Sequence, residues 1–290
     1  MKHLAPILFL AAALAAQGEA NQPAGRGGVP NEGQEDRTPP RRVAGGLTGE
    51  QRGKRIVDEA IAALGGDNFL GMTDCVAGGR AYSFYREQLS GLAIAKIYTR
   101  YRSVPGGKLQ VEERQAYGKK EEDIILFTPD GEAYEMTYRG ARPLPEDRTA
   151  RYYDTTMHNV FYILRVRLHE KGMVFESKGA DVIDNMPVEI VDITDSEDRT
   201  TTVYFHQSTK LPARQVFYRR DPKTRERDEE LTLFSKYRAE NGVQWPHAIH
   251  RERNGEKLFE MFSDSVVINK GLPDKLFQLP ADAKKLKPMN

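Results

Sequence analysis

The sequence predicts an α+β chain, mainly antiparallel β, whose sheet curves into an unclosed β-barrel, a half-barrel, with helices covering or plugging its concave face. Three observations carry this. Short segments rich in Val, Ile, Tyr, Phe and Thr recur from Cys75 to Ile268, as strands do. Asp130-Gly131, Asn241-Gly242 and Asn254-Gly255 fall between such segments, and residues that tolerate positive φ mark tight hairpins. Only two stretches have helical periodicity, one ahead of all the strands and one between two groups of them. A long twisted antiparallel sheet curls, and helices with one apolar face can close its open side.

The first helix has a written start. Thr48 can cap it, Gln51 stands three residues on as in a capping box, and Gly65-Gly66 ends it. Ile56, Val57, Ala60, Ile61 and Leu64 recur at helical spacing and form one apolar face. About five strands follow, over 75–85, 92–103, 109–117, 123–128 and 132–138. A second helix is expected over about 146–168, with Met157, Val160, Phe161, Leu164 and Leu168 on one side. About seven strands then run to Ile268. The almost wholly charged run from Arg219 to Glu230 interleaves both signs and reads as an exposed hairpin tip.

Ahead of this domain, Met1 to Ala20 has the parts of a secretion signal: Lys2 and His3, an apolar run from Leu4 to Ala16, then small residues. That run is shorter than the roughly 20 apolar residues a membrane span requires. Cleavage is expected after Ala20, with Ala15 the other candidate. From Asn21 to Leu47 the chain is rich in Gly and Pro with almost no large apolar residue, so it reads as a tether that cannot offset its ordering entropy. The expected organisation is therefore signal 1–20, tether 21–47 and a single domain 48–290, exported to the periplasm. Cys75 is the only cysteine, so neither a lipidation site after the signal nor an internal disulfide is expected. Beside Val76 and Ala77 it reads as a small buried hydrophobe.

The formal net charge is +1, which gives no pull toward nucleic acid. Charged residues make up 29% of the chain and apolar ones 39%, as in a folded domain with a charged exterior. No nucleophile elbow, phosphate loop, zinc-protease helix or cysteine pair is present. His247 and His250 stand three apart on an expected strand, which turns them to opposite faces. The neighbours Glu112 and Glu113 point apart in the same way and read as surface charge. No catalytic residues, metal or cofactor are expected.

The order of elements, with the stretch from Ile124 through Pro129-Asp130-Gly131 to Tyr134, Leu211-Pro212-Ala213-Arg214, Asn241-Gly242-Val243 with Trp245-Pro246, and the close Leu276-Phe277-Gln278-Leu279-Pro280, resembles the periplasmic lipoprotein carriers of the LolA type and related outer-membrane lipoprotein-sorting proteins. The resemblance spans about Thr48 to Pro280. It implies a concave apolar surface that accepts acyl chains, and a non-catalytic carrier for a lipid, acyl chain or lipidated protein. Alternation along the strands makes Ile94, Ile97, Tyr101, Ile124, Leu126, Val203, Phe205 and Phe217 the expected ligand-contacting face. The expected partners are a hydrophobic ligand or lipidated protein, and envelope membrane proteins, with the chain a monomer. The alternative is a protein-interaction module whose barrel is packed solid. A space between sheet and helices separates the two readings.

Overall fold

The computed structural model describes residues 46–220 and 225–288. The expected signal lies outside the described residues, as does all of the expected tether except Gly46 and Leu47.

Helix α1 (Gly49–Leu64) begins as its sequence dictates. The Thr48 hydroxyl accepts from the Gln51 N–H at 3.1 Å, and the Gln51 side-chain oxygen accepts from the Thr48 N–H at 2.9 Å. Two donors that no helical partner could reach are thereby satisfied, an arrangement worth about 1 kcal/mol. Gly65, at φ 126°, ends the helix. A short helix α2 (Asp67–Leu70) follows and buries Phe69, an element the sequence pattern does not announce.

Among the described residues thirteen strands form one sheet: β1 (Asp74–Tyr85), β2 (Gln88–Tyr101), β3 (Val111–Tyr117), β4 (Asp123–Phe127), β5 (Ala133–Thr137), β6 (Gly140–Pro143), β7 (Val174–Ile183), β8 (Met186–Thr194), β9 (Thr200–His206), β10 (Pro212–Arg220), β11 (Arg227–Glu240), β12 (Val243–Arg253) and β13 (Glu256–Ile268). The spatial order is β6-β5-β4-β3-β2-β1-β13-β12-β11-β10-β9-β8-β7, with every ladder antiparallel. Two meanders are thus joined where the first and last strands pair in the middle. The outer strands β6 and β7 do not pair with each other, so the sheet is a curved, unclosed half-barrel. β6 is the one strand beyond the expected five in the first group. It is four residues long and ends on Pro143, a residue that sheets accept at an edge.

This topology obliges the chain to travel from one edge strand to the other, and the segment after β6 makes the crossing over the concave face. The single helix expected there is broken. Helix α3 (Glu146–Met157) stops at His158, and Asn159 is extended at ψ 122°. The Asn159 carboxamide oxygen accepts from the Phe161 and Tyr162 N–H groups at 3.0 and 3.1 Å, so a local side-chain cap outcompetes helix continuation. Helix α4 (Val160–Tyr162) starts anew and runs into a π-helical turn, Ile163–Arg167.

The core follows from this layout. Ile56, Val57, Ala60 and Leu64 of α1 pack with Val191, Val203, Phe205 and Phe234 of the sheet and with Val160, Phe161 and Leu164 of the crossing segment. Each large side chain so buried contributes about 1.5–3 kcal/mol. Helix and strand approach closely at Gly53, where an added Cβ would stand 2.3 Å from the Phe175 carbonyl oxygen. The convex face is covered in part by the C-terminal stretch. Leu272 and Phe277 pack on Val76, Tyr98, Ala116 and Leu126, and the Asp74 carboxylate accepts from the Lys270 and Gly271 N–H groups at 2.8 and 2.9 Å.

The hairpin signals form as expected at Asn241-Gly242 and Asn254-Gly255, where φ is 49° and 79°, then 50° and 78°, the left-handed pairs of a two-residue turn. Asp130-Gly131 lies within a longer loop joining β4 to β5. The charged run from Arg219 to Glu230 connects β10 to β11 with Arg225, Glu226 and Arg227 exposed, as expected of a hairpin tip, but its two ends turn inward: Glu230 is 3% exposed, and the Arg219 guanidinium is directed at it and at Asp154. Among the described residues no helix is long and apolar enough to cross a membrane.

Candidate functional site

A cavity of about 300 Å³ lies between the concave face and the crossing segment. Strand alternation decides what lines it. Cys75 and Ala77 of β1, Ile97, Thr99 and Tyr101 of β2, and Val111, Glu113 and Gln115 of β3 form one wall. Gln215 of β10, Thr232 and Phe234 of β11, Ile249 and Arg251 of β12, and Phe259 and Met261 of β13 form the other. The roof consists of Arg151, Tyr152, Thr155 and Thr156 of α3, then Asn159, Phe161 and Tyr162.

Specific polar contacts hold the roof in place. The Gln215 side-chain oxygen accepts from the Val160 N–H at 2.9 Å, and the Gln110 N–H donates to the Tyr162 hydroxyl at 2.9 Å. Arg219 Nε donates to Asp154 at 2.7 Å, and His158 Nδ1 lies 2.8 Å from the Thr201 hydroxyl. Arg167 donates to the Met157 carbonyl at 2.9 Å and to Asp195 at 2.7 Å. These ties bind α3 and its continuation to β9, β10 and the turn between β8 and β9 on one side, and to the residue ahead of β3 on the other.

Burial controls the titratable groups here. The Cys75 thiol is pushed far up, first by burial and then by the Asp74 and Glu240 carboxylates, so it stays a neutral thiol. Burial raises the Glu113 carboxyl, opposed by its hydrogen bond from Gln115 Nε2 at 2.5 Å and by the charge of Arg251. Burial lowers Arg251 and Arg151. Glu230 Oε1 receives Arg253 Nη2 at 2.8 Å, Arg219 Nη2 at 3.4 Å and Arg151 Nη1 at 3.8 Å.

The predicted contact residues separate into distinct places. Ile97 and Tyr101 line the cavity. Val203 and Phe205 sit on the concave side but under the core around α1. Phe217, also buried, lies flat on His158 with ring centroids 4.2 Å apart. Ile124 and Leu126 pack on the convex side with the C-terminal stretch, and Ile94 is exposed. The residues that strand alternation left unmarked are the polar ones. Glu113, expected at the surface, lines the cavity, while Glu112 is buried on the other face against Arg100 at 2.5 Å. Both departures arise because the sheet is covered on both faces at β3, so neither side of that strand is solvent. A signal for Arg251 was present in its spacing: it stands two residues from Ile249, on the same face of the strand. His247 and His250 do face apart, the first held between Ser263 and Glu240 and the second between Glu260 and Glu252.

No family model matches the chain, and no curated protein matches it in sequence. Solved structures do. A DUF1329 family protein from Desulfovibrio piger superposes with a TM-score of 0.55 at 12% identity, over 80% of this chain and 98% of that one. A putative outer membrane lipoprotein-sorting protein domain from Vibrio parahaemolyticus gives 0.51 at 11% identity, over 79% and 97%. A LolA superfamily protein from Nitrosomonas europaea gives 0.48 at 12% identity, over 80% and 98%. The chain thus shares its curved-sheet fold with the first two of these structures.

Proposed function

We propose that the protein is an exported, non-catalytic binding or carrier protein for a lipid or acylated ligand, acting in the compartment to which the expected N-terminal signal would send it. The observation that carries this reading is the space between sheet and roof, where a packed interaction module would have a filled interior. Its lining combines Ala77, Ile97, Phe161, Phe234, Trp245 and Ile249 with a few polar groups, the usual make-up of a small-molecule site. At about 300 Å³ it stands at the low end of the roughly 300–1,000 Å³ such sites occupy. That size favours one acyl chain over the several chains of a lipidated protein.

Binding is favoured over catalysis by the state of the polar groups. The thiol at Cys75 is held neutral, Glu230 is engaged by Arg253, and among the described residues no histidine lines the cavity. Among the described residues that line the cavity, a nucleophile with an adjacent histidine base, the usual arrangement for acyl transfer, is not assembled. The fold of the lipoprotein-sorting domain supports the reading as an analogy of architecture.

A polarity-sensitive hydrophobic dye tests the proposal. The protein should bind it saturably, and Ala77→Phe, which fills the cavity from the floor of β1, should weaken binding at least tenfold while leaving a cooperative melt. A protein that ignores the dye, or a filled variant that binds it equally well, would overturn the reading.

A further inference from the structure

The second wall of the cavity is graded along its length. Strand register sets Glu230 opposite Arg253 at one end, then Thr232, Arg251 and Phe259 on one rung, then Phe234, Ile249 and Met261 on the next. The wall therefore passes from charged to apolar in steps of two residues, roughly 7 Å each. The β12–β13 ladder shifts register between Arg251 and Glu252, and such bulges re-aim side chains and concentrate beside binding sites.

Arg251 differs from its neighbours at that end. Arg253 donates to Glu230, and Arg219 to Asp154. The Arg251 guanidinium lines the cavity, and no hydrogen bond or ion pair engages it among the described residues. Of the two carboxylates that act on it, Glu230 is the stronger and Glu113 the weaker; Glu230 is engaged by Arg253, Glu113 accepts from Gln115, and among the described residues neither stands within ion-pair distance of Arg251. A guanidinium left unpaired inside a cavity, with Arg151 and Arg219 adding positive charge around it, is costly unless an anion meets it, and its planar fork suits a carboxylate or phosphate.

We infer that Arg251 receives the anionic head of a single-chain amphiphile, a carboxylate or a phosphate, while the chain lies along Ile249 toward Phe161 and Trp245. This specifies the ligand class of the proposed site and rests on that reading. It distinguishes the ligand from a neutral acylated peptide, which has no anion to place against Arg251.

Calorimetric titration of the unmodified protein with decanoate and with methyl decanoate tests the inference, with acetate and inorganic phosphate as chain-free controls and decyl phosphate as the second head. Decanoate or decyl phosphate should bind at least tenfold more tightly than the ester, the effect of one charge-assisted contact. Acetate and phosphate alone should bind far more weakly than either. Arg251→Met should bring decanoate down to the level of the ester while leaving the ester unchanged. Equal affinity for decanoate and ester would overturn the inference and leave the acyl-binding proposal standing. Binding of none of the chained ligands would overturn both. Acetate or phosphate binding as tightly as decanoate would reduce the site to a plain anion site and overturn the inference. The ligand comparison on the unmodified protein decides even where the variant does not fold.

Discussion

Phe127 and Tyr152 stack face to face, with ring centroids 3.6 Å apart and planes 7° from parallel. One ring belongs to β4 and the other to α3, so this contact fastens the roof to the first meander, as Gln215 fastens it to the second. Tyr152 also lines the cavity. Tyr152→Ala removes the stack and a large part of the roof together. It should cost roughly 3 kcal/mol, read as a lower urea midpoint at unchanged slope, and should speed release of a bound dye in stopped flow.

His158 makes the roof sensitive to acid. Burial lowers its pKa to about 4, against an opposing pull from Asp154. The unfolded chain, with histidine near 6.5, takes up the proton first, so it binds more protons than the folded state between those values. Stability is therefore fully present above about pH 6.5 and is lost as the pH falls toward 4. Unfolding free energies measured by denaturant at several pH values should show this slope, and His158→Gln should flatten it. An unchanged slope in the variant would assign the acid sensitivity to another group.

Asp195 is a buried junction. Burial alone would raise its carboxyl, but hydrogen bonds from Arg167, from the Arg199 and Glu197 N–H groups and from the Arg199 side chain outweigh it and hold the pKa at about 2. Arg167 links this junction to the Met157 carbonyl at the end of α3. Arg167→Met leaves a buried carboxylate short of its best partner and should cost about 3 kcal/mol or more. Thermal unfolding checks the cost, and faster amide exchange confined first to 146–167 would place the loss in the roof.

Gly53 offers a test in which helix propensity and packing disagree. Gly to Ala in an α-helix is ordinarily a gain of about 1 kcal/mol. Here the new Cβ would stand 2.3 Å from the Phe175 carbonyl oxygen and 2.9 Å from the Ser177 nitrogen. Both are backbone atoms of β7, so the helix must lift off the strand. Gly53→Ala is expected to lower stability by roughly 1–3 kcal/mol, and a stabilised variant would mean that α1 sits farther from β7.

What the sequence disclosed and what it withheld divide by range. The capping box at Thr48, the turns at Asn241-Gly242 and Asn254-Gly255, and the apolar face of α1 are short-range features, and each is legible within a few residues. The break at Asn159 was equally local, yet the apolar spacing from Met157 to Leu168 continues through it and conceals the cap. The site was harder to read. Ile124 and Leu126 alternate as cleanly as Ile97 and Tyr101 do, because the C-terminal stretch gives the convex face its own apolar cover, and alternation does not say which face is concave. Glu113, Glu230 and Arg251 look like solvated charge on a strand. Only the meeting of residues far apart in sequence, such as Arg151 with Glu230 and Glu113 with Arg251 across the cavity, brings them together inside.

The central claim, that the space under α3 holds an acyl chain, is tested most directly by native mass spectrometry of the protein purified from an envelope fraction without detergent. The account predicts a bound species of lipid mass, released by solvent extraction, with no more than one chain per protein and with occupancy lost in Ala77→Phe. A protein that is empty as isolated, and stays empty after incubation with decanoate and with longer acyl lipids, would contradict it.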